Sequence, residues 1–280
     1  MSTWTPSARE LERARVRRQD RFRRALIATA VTVFVAVVLW YVITHSQGWP
    51  RVKETFFSAH AARQSLPAVA KGFGTNVAMF LIAEPLILLI GGLVAVTRTT
   101  TTPWLAPARF VVVLYTDLLR GVPTLLVVVL FALGIPALRL TGVTTSLFWL
   151  TLFALVLSYG AYVAEVIRAG VDSIHPSQVA SAEALALSRT QTMRFVVLPQ
   201  AIRRVVPPLI NDFVSLQKDT ALVSAVGVSE TLLAAQDYGN YHFNYTPILV
   251  AAAFFVALTI PIARFTDWLG RRAMRRERGL

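Results

Sequence analysis

Residues 25–44 run without a single charged side chain. A helix needs about 20 apolar residues to cross hydrocarbon, because at that length it reaches both interfaces while satisfying its own backbone. The pattern recurs at 72–97, interrupted by Glu84 and Pro85, at 110–133 with Asp117 and Arg120, at 147–164 and at 246–263. A sixth stretch, 205–228, is the most polar and holds Pro207, Pro208, Asn211, Asp212, Lys218 and Asp219. These runs predict an all-α membrane protein with about six transmembrane helices.

Charge supports that reading. The chain carries a formal +13, but the arginines crowd into 9–24 and 264–278, beside apolar segments. Such placement suits cytoplasmic anchoring against anionic lipid rather than a nucleic-acid surface. Six crossings put both basic ends on the cytoplasmic side, as the positive-inside bias requires. The first run lacks a small-residue cleavage pattern, so it is expected to stay as an anchor. With no cysteine, disulfide frameworks and thiolate chemistry drop out. His45, His60, His175 and His242 lack metal-ligand spacing. There is no GxxxxGK[ST] either, so no metal or nucleotide site is expected on this chain.

By alternation, the long polar interval 168–199 is cytoplasmic. Pro176 is placed to open a helix, and Gln178 to Leu187 are nearly all small or helix-favouring. Small residues let a helix approach another surface closely, so the segment reads as a protrusion that docks into a groove. The alternative is a solvated interhelical loop.

The run from Gln178 to Leu187, followed by Val196, Val197, Leu198, Pro199, Gln200 and Ala201, resembles the coupling loop of ATP-binding-cassette importer permeases: Glu-Ala-Ala, three residues, Gly, nine residues, Ile-x-Leu-Pro. Spacing matches throughout. Ala180 and Ser181 stand where the family has Glu and Ala, Ala182 agrees, and Ala186 replaces Gly. Other stretches resemble the polar amino-acid branch, the histidine, glutamate, glutamine, arginine and opine permeases. Tyr115, Arg120, Gly121 and Pro123 resemble Tyr-x-x-x-x-Arg-Gly-x-Pro. Ala161, Tyr162, Glu165, Arg168 and Gly170 resemble Ala-Tyr-x-x-Glu-x-x-Arg-Gly, with Ala169 where that Gly stands. The resemblance ends in Lys218, Asp219 and Thr220, and it covers roughly residues 72–271.

It implies a five-helix permease core preceded by one extra helix. The corresponding segments are a basic cytoplasmic stretch 1–24, the extra helix and an extracytoplasmic loop 25–71, a permease domain 72–270 with its coupling loop at 172–199, and a basic tail 271–280. It also implies an inner-membrane subunit with both termini cytoplasmic, which does no bond chemistry. The implied partners are two ATPase subunits that bind ATP and Mg2+, a second permease subunit expected to be a paralogue, and an extracytoplasmic amino-acid-binding protein. The residues expected to meet the ATPase are Pro176, Gln178, Ala180, Ser181, Ala182, Glu183, Ala184, Ala186 and Leu187.

Charges inside spans are costly unless paired or facing a cavity. Glu84, Asp117, Arg120, Tyr162, Glu165, Asn211, Ser215 and Lys218 are therefore candidates for the substrate path or its gates. Asp117 and Arg120 lie three apart and can neutralise each other. Asn211, Ser215 and Lys218 share one helix face, as a passage lining or as an interface to a second permease. Arg120 and Lys218 suit a carboxylate and point to a polar amino acid such as glutamate or glutamine. An ion-coupled secondary carrier using Asp212, Lys218, Asp219 and Glu84 as a proton relay stays open as the alternative.

Overall fold

The structure, a computed structural model, describes residues 7–100 and 102–277. The described residues form helices and turns with no strand. They divide into two compact units, Met1–Phe57 and Ser58–Leu280. The first unit holds α1 (Ala8–Thr44) and the short α2 (Trp49–Phe56). In α1 the stretch from Leu26 to Ile43 is uncharged and long enough to cross a bilayer.

In the second unit, α3 spans Ala59–Thr99. It begins well before the crossing expected at Gly72, so residues 59–71 are helical rather than a polar connection. Two local causes act. The Ser58 hydroxyl caps the helix by accepting from the Ala61 N–H at 3.3 Å. Ala61, Ser65 and Val69 recur on one face and are buried, with Val69 packing in a cluster with Ala235 and Ala251.

The expected crossing at 110–133 is broken. The helical stretches Pro103–Gly121, which holds α4 (Ala106–Gly121), and Thr124–Ala137, which opens with α5 (Thr124–Val129), meet at 107°. Pro123 disfavours a helical conformation at the residue before it, and Val122 is extended, with φ −106° and ψ 132°. A π turn, Leu130–Gly134, then leads into the three-residue α6 (Ile135–Ala137). Helix α7 (Leu147–Asp172) is the most buried span and packs along α3. The main core lies between them: Met79, Ala83 and Ile87 meet Leu155, Tyr159 and Val163, closed by Leu216, Val223 and Val226.

The remaining elements are α8 (Pro176–Ala184), α9 (Arg189–Thr192), a second π turn (Met193–Val197), α10 (Leu198–Asp219), a 3-10 segment (Thr220–Val226), α11 (Thr231–His242) and α12 (Thr246–Glu277). Both π turns lie just ahead of a proline, Pro136 and Pro199, whose missing N–H disturbs the hydrogen-bond ladder. Four helices among the described residues are long and apolar enough to cross a bilayer, five if the bent pair counts as one. The sixth expected crossing, 205–228, falls on α10 and the 3-10 segment after it, too polar to qualify by composition.

Candidate coupling surface and membrane passage

The loop after α7 is held from both sides. His175 caps α8 by accepting from the Ser177 N–H at 3.2 Å, with Pro176 in the first turn. At its far end Ala186 is left-handed, φ 55°. The Leu187 N–H returns to the Ala182 carbonyl at 3.1 Å and the Ala186 N–H to Glu183 at 2.9 Å, the paired closure for which glycine is usual. An alanine there carries about 1–2 kcal/mol of steric strain. Ser188 and Gln191 then form a capping box at the start of α9.

Beneath this turn Ile174, Val197 and Ala201 make a small core with Val171 and Val179. Arg204 of α10 donates to the Ser173 carbonyl and, at 3.0 Å, to its hydroxyl. Gly170 lets α10 come close, because a Cβ there would run into the Val205 side chain.

The expected contact residues divide by orientation. Pro176, Gln178, Ala180, Ser181, Glu183, Ala184 and Ala186 are exposed, and Leu187 is half-buried. Ala182 is 3% exposed and faces its own chain, so it anchors the helix rather than presenting a surface. Leu185, which the motif did not single out, is 77% exposed at the tip. An apolar residue that open, on a rigid turn, marks a contact surface. The signal lay in a leucine among alanines, and helical periodicity did not place it because the helix ends at Ala184.

Next to the loop, one carboxylate gathers three arginines from three helices. Glu165 of α7 accepts from Arg98 of α3 at 2.9 Å and pairs with Arg168, and Arg120 of α4 lies 3.6 Å away. Arg98 also donates to Thr116 at 2.8 Å, and Arg168 reaches on to Asp172. The pairing expected between Asp117 and Arg120 is replaced by this arrangement. Asp117 is exposed, and Arg120 turns towards the stronger multi-helix site. Arg98 was missed because its partners lie 18 and 67 residues away.

On α7, Tyr159 donates to Asp219 at 2.7 Å, and its ring centroid lies 6.3 Å from that of Tyr162. Glu84 on α3 and Asp212 on α10 are both half-buried. The Oδ2 of Asp212 is buried without a hydrogen-bond partner. Asn211, Ser215 and Lys218 follow the same helix at i, i+4 and i+7, with Asn211 and Lys218 exposed.

A second polar knot was not anticipated. Glu230 is completely buried; its carboxylate accepts from Asn76 Nδ2 at 3.0 Å and from the Leu233 N–H at 2.8 Å. Asn76 Oδ1 in turn accepts from the Thr231 N–H at 3.1 Å. Gly72 makes room, since a Cβ there would lie 2.5 Å from the Glu230 carbonyl carbon. Among the described residues no cluster of His, Asp and Glu is able to hold a metal ion.

Residues 105–275 match the family described as binding-protein-dependent transport system inner membrane component. Among similar proteins is a probable amino-acid ABC transporter permease of Bacillus subtilis (strain 168), YckA, 31% identical over 220 residues, covering 78% of this chain and 95% of the relative. An arginine transport system permease of the same organism, ArtQ, is 28% identical over 70% of this chain and 87% of its own. A putative glutamine transport system permease of Rickettsia typhi (strain ATCC VR-144 / Wilmington), GlnP, is 33% identical over 65% of this chain and 82% of its own. Among solved structures, an amino acid ABC transporter crystallised with histidines superposes with a TM-score of 0.70 at 26% identity, covering 77% of this chain and 98% of that one. The inward-facing MetNI methionine transporter, at 18% identity and a TM-score of 0.57, shares the fold.

The chain belongs to the binding-protein-dependent inner membrane component family. Within it, this is a permease subunit of an amino-acid ABC importer, a membrane component of the transporter. The ion-coupled alternative finds no support among these relatives.

Proposed function

We propose that this permease is driven through the exposed face of α8 and the tip at Leu185, gripped by one of two ATPase subunits that bind ATP and Mg2+. A second permease subunit, a paralogue, completes the passage. An amino-acid-binding protein delivers substrate from the outside, and both basic termini lie in the cytoplasm. The observation that carries the reading is the loop's two-sided build: Ala182 and Ile174 anchor it inward while Ala184, Leu185 and Ala186 project from a doubly capped turn. Force applied at such a tip passes into α7 and α10 rather than dissipating in a soft loop.

The passage follows Asn211, Asp212, Ser215 and Lys218 of α10, with Glu84 and Tyr162 on the neighbouring α3 and α7. Lys218 suits the substrate α-carboxylate, and the unpartnered Asp212 oxygen suits its α-ammonium. With Arg120 already beside Glu165, an acidic side chain is no longer specially favoured. The substrate class is a polar amino acid, in keeping with the arginine and glutamine names of the relatives.

The test is uptake by the reconstituted complex, driven by ATP or by a proton gradient, for the wild type and Leu185→Asp. ATP-driven uptake is expected to fall at least ~10-fold in the variant, as for a central interface residue, with the melting temperature unchanged. Uptake that needs no ATP, or that ignores the substitution, overturns the reading.

A further inference from the structure

The ends of α3 and α7 and the segment after the coupling turn border a cavity of about 480 Å³, within the size range of ligand sites. Its apolar wall includes Val96 on α3, Ile167 on α7, Met193 at the start of the second π turn and Leu198 at the start of α10. Arg189 and Thr190 of α9 line it too. Met193 and Leu198 are 38% and 43% exposed, so the protein itself leaves this wall open.

Two features say what fills it. The first is continuity with the surface of a helix long enough to cross a bilayer. Leu89, Leu93 and Val96 follow one face of α3 at i, i+4 and i+7, and each is about as open as the next, at 59%, 61% and 63%. This apolar stripe runs into the cavity at Val96. An acyl chain lying along the stripe therefore reaches the cavity.

The second feature is charge. Between Glu183 and Asp212 the chain carries Arg189, Arg194, Arg203 and Arg204 and no carboxylate. Among the described residues Arg189 makes no ion pair, although the capping box of Ser188 and Gln191 fixes the start of its helix. Arg194 lies over the Phe195 ring, 5.6 Å from its centroid. A guanidinium without a carboxylate, on the rim of an apolar cavity, suits a phosphate whose remainder is hydrocarbon. A hydrophilic anion would leave the methionine and leucine in water, and an uncharged lipid would leave the arginine without a counter-charge.

We infer that this cavity binds an anionic phospholipid, with an acyl chain against Val96, Ile167, Met193 and Leu198 and the phosphate on Arg189 and Thr190. Bound there, the lipid bridges α3 to the segment that follows the coupling turn.

In the experiment the purified complex is stripped of lipid in detergent, then titrated with phosphatidylglycerol, phosphatidylcholine or inorganic phosphate, and bound molecules are counted by native mass spectrometry. The wild type is expected to hold a phosphatidylglycerol that Arg189→Gln binds ~5-fold more weakly, the effect of one arginine beside a charged lipid. Val96→Trp, which fills the apolar wall, is expected to exclude it. Both positions are exposed, so the lipid-free variants should melt at the wild-type temperature; if Val96→Trp melts lower, Arg189→Gln alone decides. Equal binding of the two lipids by the wild type, or a preference that survives Arg189→Gln, overturns the assignment. Displacement of the lipid by millimolar inorganic phosphate would make this a free-anion site and overturn it as well. So would a Val96→Cys variant that crosslinks to a neighbouring subunit in a complex holding no such lipid, because the cavity would then be a protein interface.

Discussion

Glu165 and Glu230 are both carboxylates that join helices distant in sequence, yet they do so by opposite means. Glu165 is partly open to water and surrounded by three guanidinium groups, with side-chain exposures of 14% for Arg98, 39% for Arg120 and 34% for Arg168. Glu230 is fully buried, and its partners are the Asn76 amide and backbone N–H groups at the start of α11, with no cation among them. The first site is redundant: removing one arginine leaves two, and water solvates what is lost. At the second, water has no access, so removing the Asn76 amide leaves buried polar groups short of a partner. Electrostatic abundance marks where the chain tolerates change, and buried hydrogen bonding marks where it does not.

That contrast can be broken by substitution. The largest effect is expected for Asn76→Leu, which strips a donor from Glu230 and an acceptor from the Thr231 N–H. It should cost about 3 kcal/mol or more, read as a lowered melting temperature of the detergent-solubilised complex. A cost below that for Arg98→Gln would show that the hub, not the buried knot, holds the helices. Arg98→Gln itself is expected to cost about 1 kcal/mol, discounted for solvent access to the hub. Its effect should shrink as salt rises, whereas that of Asn76→Leu should not.

The smallest effect concerns the coupling loop and has the opposite sign. Ala186→Gly should raise stability by about 0.5–1 kcal/mol, since glycine adopts the left-handed cap without a Cβ clash. Differential scanning of the purified complex would register this as a small upward shift. A decrease would mean that the alanine methyl makes a contact that outweighs its strain.

Some of this site was legible in advance. Pro176 at the start of a helix, the small residues after it and the closing Pro199 announced a compact protrusion, because helix starts and stops are local chemistry. Ala186 was recognisable as a substitution for glycine, and its left-handed conformation follows from the turn it must make. The orientation of Ala182 inward and Leu185 outward was not readable. It depends on Val197 and Ala201, which come from a segment beyond the turn and decide which face of α8 is covered.

The polar membrane residues show the same division. Length and apolar composition by themselves determined that the chain is helical and lives in a bilayer, since hydrocarbon leaves so few ways to satisfy a backbone. The proline at 123 was visible too, although its outcome, a sharp break rather than a straight crossing, required knowing that nothing nearby would restore the helix. Tertiary structure alone decided that Arg120 turns to Glu165 instead of Asp117, and that Asn76 and Glu230 meet at all. Such partners are separated by tens of residues or more. Only the packing of α3 against α7 and α11 sets distances across which a hydrogen bond or an ion pair can form.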